Sequence, residues 1–165
     1  MLNQQATLFD ALYEEHAGRL YAYFSVAFGP DEADDLLQRL FLSVWNSMNR
    51  PGFLQPDHWR AWLFRAAVNL KNDVLRAGRR CRELPLEEYD QPVQRDDGEA
   101  LAVQEAFSRL APHEQDLLLW KNMGLSSAEM AEILGVSASA VRSRYQTAKK
   151  WFRKYLEECG VDCGG

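Results

Sequence analysis

Cysteine is scarce in this chain. Cys81, Cys159 and Cys163 are the three thiols, and their irregular spacing excludes a disulfide framework as the source of stability. Long apolar runs are missing as well. No stretch approaches the ~20 consecutive apolar residues that a spanning helix needs, so membrane insertion is not expected. The opening Met1-Leu-Asn-Gln-Gln-Ala-Thr7 has neither the basic start nor the apolar centre of a signal peptide, which makes the cytoplasm the expected compartment. His16, His58 and His113 are isolated, and none stands with a Ser, Cys or Asp in the manner of a catalytic triad. A glycine loop that could cradle phosphate is absent too. Catalysis therefore has no candidate residues here, and no cofactor is expected.

The charge is where the chain becomes informative. Across 165 residues it carries 19 Lys and Arg against 24 Asp and Glu, a net charge of −5. The excess is local. Met1 to Arg80 holds nine bases and nine acids, Ala100 to Gly165 holds eight of each, and Cys81 to Glu99 holds two bases and seven acids. Within the last third, Ser139 to Tyr155 gathers Arg142, Arg144, Lys149, Lys150, Arg153 and Lys154 with no acid among them. Local fields of this kind steer partners more than the total does.

Apolar residues recur at helical spacing along most of the chain, and no stretch alternates like a strand. Leu8, Phe9, Leu12, Leu20, Phe24 and Phe28 predict one long helix, stopped by Gly29-Pro30. Asp31 and Glu32 suit the start of a second helix with the face Leu36, Leu37, Leu40, Phe41, Val44 and Trp45. Arg50-Pro-Gly-Phe-Leu-Gln-Pro56 reads as a loop, and Asp57 as the cap of a third helix ending near Gly78-Arg-Arg80. Residues 82–98 lose the apolar period and read as an acidic linker. A second helical domain starts near Glu99, with Leu101, Val103, Phe107 and Leu110 on its first helix and Pro112 opening the next. Gly124 suits a left-handed C-cap, and Ser126 with Glu129 has the spacing of a capping box. A short helix Ser127–Leu134 then ends at Gly135, and Ser137 or Ser139 caps the basic helix behind it. The expected fold is all-α, with domains at 1–81 and 99–158, a linker at 82–98 and a Cys-containing tail at 159–165.

A short helix, a tight turn and a basic helix form a helix-turn-helix. Ala131 is small where the helices cross, and Val141 can pack back on the first of them. Ser139, Arg142, Ser143, Tyr145, Gln146 and Lys149 then face outward. Arg can pair with guanine and Gln with adenine in the major groove, while lysines hold phosphates. The plainer reading is a solvated basic face on a bundle helix. In the N-terminal half, Phe53, Trp59, Trp62 and Phe64 are interleaved with Arg60, Arg65, Lys71, Arg76, Arg79 and Arg80. That pattern suits single-stranded DNA, whose bases stack on aromatic rings. It also suits a tryptophan-rich core with arginines on its far side.

Taken together, these runs resemble the extracytoplasmic-function (ECF) type of bacterial sigma factor, from about Leu8 to Leu156. The N-terminal signature is Asp31-Glu-Ala-Asp-Asp-Leu-Leu-Gln-Arg-Leu-Phe-Leu-Ser-Val-Trp45, followed by Trp59-Arg-Ala-Trp-Leu-Phe-Arg-Ala-Ala-Val-Asn69 with Asp73 and Arg76. The C-terminal signature runs from Leu110-Ala-Pro-His-Glu-Gln-Asp116 through Met130-Ala-Glu-Ile-Leu-Gly-Val-Ser137 and Val141-Arg-Ser-Arg144. The resemblance implies a sigma-2-like bundle of three or four helices and a sigma-4-like helix-turn-helix domain. It implies that Asp34, Asp35, Leu37, Gln38 and Phe41 dock on core RNA polymerase, with core packing as the other role open to Leu37 and Phe41. Phe53, Trp59, Asn69, Lys71, Asn72 and Arg76 would melt and hold the −10 element of promoter DNA. Ser139, Arg142, Ser143, Arg144, Tyr145, Gln146, Lys149 and Lys150 would read the −35 element. The acidic linker would thread the polymerase channel, and an anti-sigma factor is the implied regulator.

Four positions depart from the family pattern. Arg39 stands where it has Glu, Ser139-Ala-Val141 where it has Gly-Thr-Val, and Thr147 where it has Arg. Cys159 and Cys163 are a weak metal or redox pair, since two ligands do not complete a site, and a frayed tail is the plainer reading. The alternative function is a stand-alone dimeric helix-turn-helix regulator, which would bind duplex DNA without polymerase.

Overall fold

The computed structural model of the protein describes residues 2–81 and 98–161. Apart from Gly98, the expected linker lies outside the described residues, as do Asp162 and Cys163 in the tail. Seven helices and no strand are found among the described residues, and the chain divides into two compact units, Met1–Pro85 and Leu86–Gly165.

The first unit holds α1 (Leu2–Phe28), α2 (Pro30–Met48) and α3 (Trp59–Cys81). A single residue, Gly29, turns α1 into α2. It has φ +89°, which a side chain would strain, and Pro30 follows at the first helical position, where a missing N–H costs nothing. The Gln5 amide donates to the Met48 carbonyl at 3.0 Å, tying the start of α1 to the end of α2, so the two run antiparallel. Leu12, Leu20, Tyr23 and Phe24 face Leu36, Leu40, Phe41 and Val44 in the buried core, and α3 adds Leu63, Phe64 and Ala67. Phe9 meets Phe41 edge-on at 5.8 Å and Trp45 at 5.2 Å, a geometry aromatic quadrupoles favour. The third helix starts one residue later than a cap at Asp57 would place it. The Trp62 N–H donates to the His58 carbonyl at 3.1 Å, so the cap position is His58.

The second unit holds α4 (Gly98–Ser108), α5 (Pro112–Asn122), α6 (Ser127–Leu134) and α7 (Ala138–Glu158). Its core is Leu110, Leu117, Trp120, Leu125, Met130, Ile133, Val141 and Ala148. On α4, Leu101 and Val103 differ from their expected core role. They are 52% and 38% exposed, and Ala106 is the residue that helix buries. Phe107 does pack inward, edge-on to Phe152 at 6.1 Å.

Each break between α5, α6 and α7 follows from local chemistry. Trp120 C=O accepts from Leu125 N–H at 3.0 Å and Lys121 C=O from Gly124 N–H at 3.1 Å, the paired bonds of a Schellman end, with Gly124 at φ +89°. Ser126 Oγ accepts from Glu129 N–H at 3.1 Å while the Glu129 carboxylate accepts from Ser126 N–H at 3.2 Å. That reciprocal capping box starts α6. Gly135, at φ +68°, ends it, and Ser137 Oγ accepts from Ala140 N–H at 3.1 Å to start α7.

Candidate nucleic-acid interface

The turn Gly135–Ser137 sets α7 across α6. Val141 and Ala148, two turns apart, are fully buried and fix which side of α7 faces the unit's core. At ~100° per residue, Ser139, Ser143, Gln146 and Lys150 fall on the opposite side. All four are exposed, and so are Arg142 and Lys149 along one border of that face. Arg144 is exposed too, but its register puts it on the other flank, toward Trp151. Tyr145 is half-buried, at the border between the core side and Arg142.

The charges on this face are unanswered. Arg142, Arg144, Lys149 and Lys150 have no ion-pair partner among the described residues, whereas Arg109, outside the stripe, pairs with Glu105 at 3.2 Å and Glu158 at 3.0 Å. A helix face of unpaired cations, with hydroxyl and amide side chains between them, can hold phosphates and reach base edges together. The Thr147 hydroxyl donates to the Ser143 carbonyl at 3.2 Å, so it turns back on its own helix. One cation that sequence reasoning passed over also belongs here. Lys121, in the last turn of α5, places Nζ 5.7 Å from the centre of the Tyr145 ring. Its only sequence signal is a base near a helix C-terminus, which is common on helix surfaces.

In the first unit, Pro51 and Gly52 occupy the centre of a tight turn. Phe53 N–H donates to Arg50 C=O at 3.1 Å and Gly52 has φ +82°, as a type II turn requires. Beyond it, three rings gather. Phe53 lies 6.2 Å from Trp59 and 6.0 Å from Trp62, and the two tryptophans meet edge-on at 5.4 Å. Each is half-buried, and Leu54 beside them is 86% exposed. On α3, Asn69, Asn72 and Arg76 are exposed at spacings of three and four, forming one stripe.

Lys71 does not join that stripe. It is 5% exposed, with Nζ 4.9 Å from the centre of the Tyr23 ring. Its position repeats the spacing of four that Leu63 and Ala67 set on the core side, which carries its side chain inward. On α2, Asp34, Asp35 and Gln38 are exposed, while Leu37 and Phe41 are buried at 8% and 3%. Phe41 is held by the rings of Phe9 and Tyr13, and both apolar residues are buried, as core packing requires. Cys159 is a free, half-buried thiol at the end of α7, and among the described residues no group of three or more His, Cys, Asp and Glu converges. No described helix is long and apolar enough to cross a membrane.

Comparison with known proteins gives this architecture its relatives. Residues 100–152 match the family described as Sigma-70, region 4. The ECF RNA polymerase sigma factor SigE of Mycolicibacterium smegmatis is 30% identical over 159 residues, covering 89% of this chain and 61% of that protein. The ECF RNA polymerase sigma factor SigL of Mycobacterium tuberculosis is 30% identical over 166 residues, covering 95% of this chain and 93% of the relative. Two solved structures share the fold. CnrH, in complex with the cytosolic domain of CnrY, has a TM-score of 0.70 at 24% identity, with 94% of each chain covered. RpoE of Bartonella quintana, in complex with the anti-sigma factor NepR, has a TM-score of 0.64 at 20% identity, covering 89% of this chain and 97% of that one. With a relative alike along nearly the whole length of both proteins, the chain belongs to the ECF RNA polymerase sigma factors.

Proposed function

We propose that this chain binds core RNA polymerase and directs it to a set of promoters, as a regulatory subunit and not a catalyst, in the cytoplasm. Residues 99–158 read the −35 element in duplex form, with Ser139, Arg142, Ser143, Gln146, Lys149 and Lys150 of α7 in the major groove and Arg144 and Tyr145 on its flanks. Residues 1–81 serve the other two tasks. Phe53 and Trp59, with Asn69, Asn72 and Arg76 on α3, hold melted −10 DNA. Asp34, Asp35 and Gln38 on α2 meet the polymerase. RpoE is held by the anti-sigma factor NepR and CnrH by the cytosolic domain of CnrY, and a protein inhibitor of that kind is the proposed regulator here.

One observation carries this reading: Arg142, Lys149 and Lys150 of α7, which have no ion-pair partner among the described residues, stand away from the buried Val141 and Ala148, directly behind a left-handed turn at Gly135. Phosphate attraction supplies the affinity of such a face and base edges supply its specificity. The end-to-end likeness to SigL does not favour the stand-alone dimeric regulator. Run-off transcription is the test. Core polymerase with this chain should give transcripts from templates selected out of random-sequence DNA, and core polymerase alone should not. Tight duplex binding without polymerase, and no transcript from any selected template, would replace this function with the dimeric regulator.

A further inference from the structure

Lys121 lies outside the helix-turn-helix, yet it meets the recognition helix. Its side chain is exposed and its Nζ stands 5.7 Å from the centre of the Tyr145 ring. Arg142 precedes Tyr145 by three residues and Lys149 follows it by four, the spacings at which side chains on one helix are neighbours. Three cations from two helices therefore border one half-buried ring. Neither Arg142 nor Lys149 has an ion-pair partner among the described residues, and the contact described for Lys121 is with the ring, not with a carboxylate.

Like charges gathered in this way repel, and an anion between them removes the repulsion. The ring answers the ammonium with its face and limits where the long lysine stem can go. An ammonium is a compact point charge with rotatable donors, which suits a phosphate oxygen better than the paired edge of a base. Lys121 also enters from a neighbouring helix, at the side of the face that α7 presents to the groove.

We infer that Lys121, steadied by Tyr145, is a phosphate-positioning residue of the DNA interface. Together with Lys149 it grips the backbone that borders the groove and fixes how α7 sits there. This inference rests on the promoter reading proposed above.

The experiment uses the full chain with core polymerase and two duplexes of equal length: one recovered by selection from random-sequence DNA, the other its scrambled version. Affinity is measured across a salt series. Lys121→Gln should weaken both duplexes by the same factor and lower the slope of log affinity against log salt by about one phosphate contact, ~0.9. Lys121→Arg should keep the slope, and the thermal midpoint of both variants should match that of the unsubstituted chain. An unchanged slope in Lys121→Gln, or a loss confined to the selected duplex, overturns the inference. Gln146→Ala, which removes an uncharged side chain of the outward face, is the control for base reading: its loss should fall on the selected duplex alone. If the unsubstituted chain selects no duplex at all, the promoter reading falls, and this inference with it.

Discussion

Lys71 carries an ammonium in the interior of the first unit, 5% exposed, with the Tyr23 ring 4.9 Å from its Nζ. Burying a charge is unfavourable unless the surroundings answer it, and the face of an aromatic ring does so in part. The stem of the side chain contributes in another way, by filling space as a methionine would. These two contributions separate by substitution. Lys71→Met keeps the stem and removes the charge together with the ammonium's contacts, so it should cost less stability than a truncation that removes both. Lys71→Ala removes the stem and should cost about 2–5 kcal/mol, in the range of truncated long core side chains. Urea denaturation of the full chain reads both. Run-off transcription by Lys71→Met should stay at the unsubstituted level. A stable Lys71→Met protein that no longer transcribes would return this residue to the DNA-binding surface. Its inward position was legible in principle, because it continues the Leu63 and Ala67 register; its charge, among five neighbouring arginines, pointed the other way.

At the scale of elements, the helix-turn-helix was the most legible part of the chain. Each of its boundaries is set by a residue with one local job: Ser126 and Glu129 start α6, Gly135 ends it, and Ser137 starts α7. Local chemistry of this kind needs no knowledge of the rest of the fold. The face of α4 was less legible. Its 11 residues make about three turns, and packing settled on Ala106 where Leu101 and Val103 had the stronger apolar signal. One part of the interface was hidden, because the link between Lys121 and Tyr145 joins separate helices, whereas the flank position of Arg144 follows from the side of α7 that Val141 buries. That register makes a prediction. Arg142, bordering the outward face, should discriminate between bases, so Arg142→Ala should lose about 1–3 kcal/mol between a selected −35 duplex and its single-base variants. Arg144→Ala should lose affinity about equally for all of them. Competition binding in the presence of core polymerase checks the pair, and equal profiles for the two variants would mean that α7 sits in the groove in another register.

For the whole molecule, the uneven charge distribution predicts how the free chain meets DNA. The net charge of −5 comes from Cys81 to Glu99, while the flanking segments balance. DNA carries one negative charge per ~1.7 Å of axis, so an acidic field on the same chain works against the cations of α7. That effect acts through solvent and depends on salt, with a screening length of about 10 Å at 0.1 M and about 3 Å at 1 M. Glu87, Glu88, Asp90, Asp96 and Asp97 supply most of the acidic excess, and replacing all five by amides cancels the net charge. The free variant should bind duplex DNA more tightly than the unsubstituted chain at low salt, mainly through faster association, and the two should converge as salt rises. Stopped-flow association across a salt series measures this directly. A difference that persisted at 1 M salt would show that these carboxylates act by contact. A variant no tighter at low salt would show that the acidic segment leaves the free chain's affinity alone.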